Sequence, residues 1–237
     1  MAALIEHYPF VLAFLLGLVP AIVWLWFWLK EDIHHEPSRM IALSFLGGMI
    51  AVIIALLIEE NVYVYIKSKQ NLAFFVWALI EELSKFILIY WIALRNKIIT
   101  DEPIDDIIYL KIGAIGFTTL ENTLYLVEPL RSGDIISTLI GLNLRFIGAS
   151  LLHIISSSVI GTFLALSYYG TKIKRKFYGF IGVVLAVLLH TAFNLFIINQ
   201  SNKPGQNIFF LFGTVWLGVV ILLLLFEKIK RITWKNI

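Results

Sequence analysis

Cysteine is absent from the 237 residues, which excludes disulfide staples, thiolate nucleophiles and sulfur-ligated metal sites and leaves the redox compartment open. Charge is scarce too: 15% of residues are Asp, Glu, Lys or Arg, against roughly 25% in soluble domains. Apolar residues fill the space, 59% of the chain, so the sequence reads as a membrane protein. The net charge of +3 follows loop composition and is no nucleic-acid footprint. The bilayer is the expected partner, nucleic acid is not, and nothing in the sequence speaks to oligomeric state. With no repeat, low-complexity tract or flexible linker, residues 1–237 read as one integral membrane domain whose motif-bearing core is about 71–198.

A helix needs about 20 apolar residues to cross the roughly 30 Å hydrocarbon core. Seven such runs predict an all-α polytopic bundle, with spans near 8–29, 39–58, 71–94, 108–127, 146–168, 177–198 and 207–227. The apolar stretch 135–145 is too short to cross; it is expected to extend the fifth helix or to form a re-entrant piece, an eighth element. Twelve Lys and Arg fall on one side of these spans and four on the other, which by the positive-inside rule puts the N-terminus outside and the C-terminus in the cytoplasm of a multi-pass cell-membrane protein. Trp24, Trp26, Trp28 and Trp91 are expected as cytoplasmic interfacial anchors. The first residues lack a basic region and no small-residue cleavage site follows Gly17, so the first helix is expected to be kept. Pro204-Gly205 and Pro103 punctuate loops. Gly47-Gly48, Gly113 with Gly116, and Gly179 with Gly182 predict close helix packing.

A charged side chain at the bilayer centre costs roughly 2.5–3.5 kcal/mol, while a central Leu returns about 0.3–0.6. The sequence nonetheless places Glu81, Glu82 and Lys85 in the third span, Glu121 and Asn122 in the fourth, Arg145 and His153 around the fifth, and His190 and Asn194 in the sixth. At about 1.5 Å per residue from the outer end of each span, Glu82 lies about 16 Å deep, Glu121 about 9 Å, His153 about 10 Å and His190 about 12 Å. Polar residues that merely glue helices together, at about 0.6 kcal/mol each, have no reason to share one outer slab. Around the third helix Lys85 falls between the two carboxylates, since residues advance 100° per step. One Glu is thus neutralised while the other faces a cavity. His190 with Asn194, and His153 with Ser157, each present two polar heads from one stripe.

Other charged residues receive blander readings. Lys111, near a span end, is expected to snorkel, as Arg145 could. Asp101, Glu102, Asp105 and Asp106 are expected on a solvated face, Glu59 and Glu60 at the interface ending the second span, and His34 and His35 in a short cytoplasmic loop.

Several hydrolytic signatures are missing. There is no His-Glu-x-x-His, no Asp within a span for a two-aspartate mechanism, and no Gly-flanked turn around a serine nucleophile; carboxylate and imidazole remain. A Glu among apolar helices is suited to take a proton from water, with Lys85 opposing this, and imidazole and carboxamide groups opposite could stabilise an oxyanion. Alternatively His153, His190 and a Glu, here Glu121, could hold a divalent metal such as zinc. The sequence leaves both schemes open.

Glu81-Glu82-Leu83-Ser84-Lys85 fits an EExxK pattern, and Phe117 to Asn122 fits FxxxEN. Together with His153 to Ser157, His190 to Asn194 and the loop Asp32 to Pro37, these motifs resemble the PrsW family of intramembrane proteases over about residues 25–198. The resemblance implies a multi-pass protease cutting membrane-anchored proteins near their extracytoplasmic side, as in regulated proteolysis of an anti-sigma factor. The family is distantly similar to CAAX prenyl protease-like enzymes. That likeness implies Glu81 as base, His190 with Asn194 as oxyanion donors, and Glu121, where the relative has a His, as helper base or metal ligand.

The expectation is therefore an intramembrane endopeptidase with Glu81, Glu82, Glu121, His153, His190 and Asn194 in its site and Lys85, Asn122, Arg145 and Ser157 in support. The rivals are an ion- or proton-coupled transporter, for which the usual repeats or broken helices are not found, and a non-proteolytic membrane scaffold.

Overall fold

The computed structural model describes residues 8–30, 35–201 and 208–234. Asp32, His34, Pro204 and Gly205 lie outside the described residues. Among the described residues seven helices follow in chain order: α1 (Pro9–Lys30), α2 (Ser38–Ile66), α3 (Gln70–Ile89, prolonged by a π-turn over Tyr90–Leu94), α4 (Asp105–Arg131), α5 (Ile135–Leu166), α6 (Lys172–Ser201) and α7 (Ile208–Trp234). Four of them, α1, α2, α5 and α6 as far as Ile197, are long and apolar enough to cross a membrane by length and composition. The protein is a multi-pass membrane bundle, and α3 and α4 are more polar because they carry the motif residues.

α4 is the axis of the bundle. Its residues 105–119 are buried without interruption, as expected of a helix surrounded by others. α1, α2 and α5 pack directly on it; α3 leans on α2 and α6, while α6 and α7 both rest on α5. The α2–α4 crossing brings backbones into contact. A Cβ on Gly48 would lie 1.9 Å from the Gly113 carbonyl oxygen, and one on Gly116 would lie 1.9 Å from that of Phe45. Small residues at these positions permit the approach, as the glycine spacing predicts.

The α4–α5 turn is locally encoded. Gly133 adopts φ +72°, the left-handed conformation that ends helices cheaply. Asp134 then caps α5 by accepting the Ser137 N–H at 2.9 Å. From there the apolar stretch 135–144 runs straight into α5 through a π-turn over Arg145–Ala149. The stretch thus extends the fifth helix, and no separate eighth element forms there.

Several placements differ from the sequence reading. α2 continues two turns past residue 58, so Glu59 and Glu60 sit inside a helix and do not end one. Trp24 and Trp28 are buried and only Trp26 and Trp91 are exposed, because α1 turns its other tryptophans onto the bundle. Lys111 does not snorkel; it is buried, with its ammonium 3.7 Å from the Trp28 ring centroid and 4.1 Å from that of Phe226, in favourable cation–π positions.

Of the four acidic residues around the start of α4, Asp101 is exposed as expected, whereas the two that open the helix are not on a solvated face. Asp105 and Asp106 are buried because the start of α6 and the preceding loop supply partners. Arg175 grips Asp106 with two hydrogen bonds of 2.8 and 2.9 Å. Asp105 accepts the Glu102 N–H at 2.7 Å, and the Tyr109 hydroxyl donates to Glu36. Burial first, and then the Glu36 carboxylate beside it, pushes the Asp105 carboxyl up to about 9.

Candidate active site

The four motifs converge on one cluster in the bundle. Glu82 of α3, wholly buried, is the hub. It accepts hydrogen bonds from Lys85 Nζ at 2.7 Å, Ser156 Oγ at 2.8 Å, Ser157 Oγ at 3.4 Å and His190 Nδ1 at 2.9 Å. The i,i+3 spacing places Lys85 over Glu82, and no hydrogen bond or ion pair joins it to Glu81.

This hub fixes both imidazole tautomers. Glu82 can only accept, so His190 Nδ1 carries the proton and Nε2 presents a lone pair. Lys85 can only donate, so at His153 the Nδ1, 2.9 Å from Lys85 Nζ, is the acceptor. His153 Nε2 then donates to Glu121 Oε2 at 3.0 Å. Phe117, the first residue of the FxxxEN motif, floors the pair. Its ring lies 4.7 Å from Lys85 Nζ and 5.1 Å from the His153 ring.

Glu81 lies beside this hub on the same helix. Its Oε2 is buried, makes no hydrogen bond, and lies 3.9 Å from His153 Nδ1 and 3.7 Å from His190 Nε2. The two imidazole rings meet edge to face, 5.0 Å apart at 85°. One ligand atom from each of these three residues lies within 4.8 Å of the others.

The outer edge of the site is closed by charge. Arg145, presented by the π-turn in α5, approaches Glu121 Oε2 at 2.6 Å and donates from Nε to Asn122 Oδ1 at 2.5 Å. Asn122 in turn donates to Ser150 Oγ at 3.1 Å, which also meets Thr118 Oγ1 at 3.1 Å. π-Turns recur where a helix must re-aim a functional side chain. Here one carries Arg145 inward to an ion pair, whereas a side chain near the span end was free to snorkel.

Most of the expected residues are therefore assembled, though with altered parts. Glu81, and not Glu121, is the carboxylate within reach of both imidazoles; Glu121 holds the far nitrogen of His153. Ser157 reaches Glu82 and not His153. His190 has no N–H to offer an oxyanion on its Nε2 side, since its proton is engaged by Glu82. Asn194, one turn along α6, is half-buried and has no hydrogen-bond partner among the described residues. Ser156 and Ser150 were missed; the run Ser156-Ser157-Ser158 in an otherwise apolar segment was the signal for the first.

The donor set suits a divalent cation. A carboxylate oxygen and two imidazole acceptor nitrogens face one another, the His153 one taking a hydrogen bond from Lys85, and the carboxylate oxygen is buried without a donor, which is costly unless something positive sits against it. Two nitrogens and one oxygen match the ligands of catalytic zinc sites. Each imidazole backed by a carboxylate on its other nitrogen matches the outer shell of such sites.

The family described as PrsW family intramembrane metalloprotease matches residues 36–226. Among curated relatives, a protein named Protease PrsW from Clostridioides difficile (strain 630) is 28% identical over 193 residues, 78% of this chain and 79% of the relative. Another of the same name from Geobacillus kaustophilus (strain HTA426) is 29% identical over 203 residues, covering 84% and 86%. A third, from Bacillus subtilis (strain 168), is 27% identical over 214 residues, covering 86% and 90%. No solved structure matches the chain.

Proposed function

The chain belongs to the PrsW family of intramembrane metalloproteases, and from that premise we propose that it hydrolyses a peptide bond of a membrane-anchored protein at the centre framed by Glu81, His153 and His190. The observation that carries this reading is the orphaned Glu81 Oε2 opposite the free lone pair of His190 Nε2 and that of His153 Nδ1, which Lys85 occupies and would yield to a metal. Glu81 Oε2, His153 Nδ1 and His190 Nε2 would hold a divalent metal such as zinc, in place of the set with Glu121. Such an ion supplies Lewis acidity, polarising a carbonyl oxygen and acidifying water.

The chain's own residues do the rest. Glu82 keeps the proton of His190 on Nδ1, and Glu121 keeps that of His153 on Nε2, so both lone pairs stay aimed inward. Lys85 and Arg145 neutralise Glu82 and Glu121, leaving Glu81 as the carboxylate of the site without a cationic side-chain partner. Its side chain is 15% exposed against 3% for each imidazole, so it is the group of the trio that water reaches most readily. With Oε2 turned to the imidazoles, its Oε1 takes the proton of the attacking water and passes it to the leaving amine nitrogen, while the water oxygen joins the carbonyl carbon and the C–N bond breaks. Asn194 is the side-chain donor left for the developing oxyanion.

The substrate class is a single-pass membrane protein cut near its extracytoplasmic side, with an anti-sigma factor as the regulatory form. The twelve-to-four bias of basic residues supports an outer N-terminus and a cytoplasmic C-terminus. Reconstitution with tagged single-pass substrates tests the reading. Wild-type protein is expected to cut, and Glu81→Gln to lose cleavage by at least about a thousandfold. Cleavage that survives both Glu81→Gln and Glu82→Gln overturns it.

A further inference from the structure

The three inward atoms of the trio are not alike. Glu81 Oε2 and His190 Nε2 make no hydrogen bond among the described residues. His153 Nδ1 instead takes one from Lys85 Nζ at 2.9 Å. That contact is not a matter of helical spacing, since the two residues are 68 apart in sequence and sit on α3 and α5. Lys85 is 1% exposed and is held from two further sides, by Glu82 Oε1 at 2.7 Å and by the Phe117 ring at 4.7 Å.

An unprotonated imidazole nitrogen has one lone pair. It accepts from an ammonium or ligates a metal ion, and it cannot do both. Two cations crowded into one buried cluster also repel each other. The ammonium that satisfies His153 while no ion is bound therefore opposes the ion that replaces it. A lysine needed only to neutralise Glu82 would have no use for a second bond, to an atom the metal requires. On leaving His153 it keeps its contacts with Glu82 and Phe117, so the exchange costs the site one hydrogen bond.

We infer that Lys85 is the placeholder of the metal centre: its ammonium occupies His153 Nδ1 before a divalent cation binds, gives that atom up on loading, and so limits how tightly the ion is held. The inference rests on the metal reading of the trio and adds a competitor built into the EExxK motif itself. Lys85 is thus a positioning residue with two duties, fixing Glu82 throughout and guarding His153 until the ion arrives.

The test is zinc alone, titrated into purified full-length protein against a competing chelating dye. Wild-type is expected to bind one ion per chain. Lys85→Gln, which keeps an N–H donor for Glu82 and removes the charge from His153, should bind one ion about tenfold more tightly, roughly the worth of the hydrogen bond no longer broken. Lys85→Met should tighten as well, and Lys85→Arg, which retains the charge, should not. Without zinc, Lys85→Gln should melt below wild-type, yet it should gain more on zinc addition. A lysine that only supported the fold would lower stability and zinc affinity together. In wild-type protein the ¹⁵N resonance of the Lys85 ammonium should shift on zinc loading. Lys85→Gln and Lys85→Met binding zinc no more tightly than wild-type overturn the inference while leaving the trio intact, as does an unmoved Lys85 resonance in zinc-loaded wild-type or a Lys85→Arg protein as tight as Lys85→Gln. Failure of wild-type and all three variants to bind zinc overturns the metal reading and the inference with it.

Discussion

His190 Nδ1 lies 2.9 Å from Glu82 Oε1, and that one contact decides which way the imidazole presents its lone pair. Because Glu82 already accepts from Lys85, Ser156 and Ser157, it cannot also donate. On the proposed reading the second Glu of the EExxK motif positions, and the first faces the reaction.

Separating charge from shape at Glu82 tests that division. Glu82→Ala strands Lys85 in the core and is expected to cost about 3–5 kcal/mol, read as a fall in detergent thermal stability. Glu82→Gln should fold better yet lose about 10–100-fold in cleavage or metal affinity, the usual cost of a lost outer-shell partner. Adding Lys85→Met to Glu82→Gln should recover stability and not activity. Recovery of both would mean that the hub serves packing alone.

The α2–α4 crossing has no room for a methyl group. Gly48→Ala and Gly116→Ala each force a Cβ to 1.9 Å from a backbone carbonyl oxygen, which side-chain rotation cannot relieve. Each is expected to destabilise by about 1–3 kcal/mol or more. Gly213→Ala, with nothing within 4 Å of its Cβ, should be neutral. Thermal unfolding of the three variants checks this; equal melting temperatures would mean that the crossing is looser than described.

Asp105 gives the fold a pH dependence of definite sign. In the unfolded chain it ionises near pH 3.9, whereas burial holds its proton in the folded protein up to about 9. Its contribution to stability is full below about pH 4, declines as pH rises through that window, and is gone above about pH 9. The melting temperature of wild-type protein should therefore fall more steeply between about pH 5 and 8.5 than that of Asp105→Asn. Parallel curves would show that Asp105 ionises normally.

The bundle and the meeting of its motifs were legible because helix length and buried charge are local quantities. Twenty apolar residues announce a span, and Glu82 or His190 in such a run announces a partner. What stayed hidden depended on contacts between distant segments. Lys85 sits angularly between two glutamates on its own helix, yet His153, 68 residues on, draws it to one side. Asp106 looked solvated until Arg175, 69 residues away, was seen to reach it. Arg145 needed the π-turn, which leaves no mark in hydropathy.

The most direct measurement of the central claim is cleavage of a reconstituted single-pass substrate before and after complete metal removal, with metal content counted on the same samples. The account predicts one divalent ion per wild-type chain, loss of cleavage with its removal, recovery on zinc addition, and no ion and no recovery in Glu81→Gln. Equal cleavage by fully metal-free wild-type protein would contradict it.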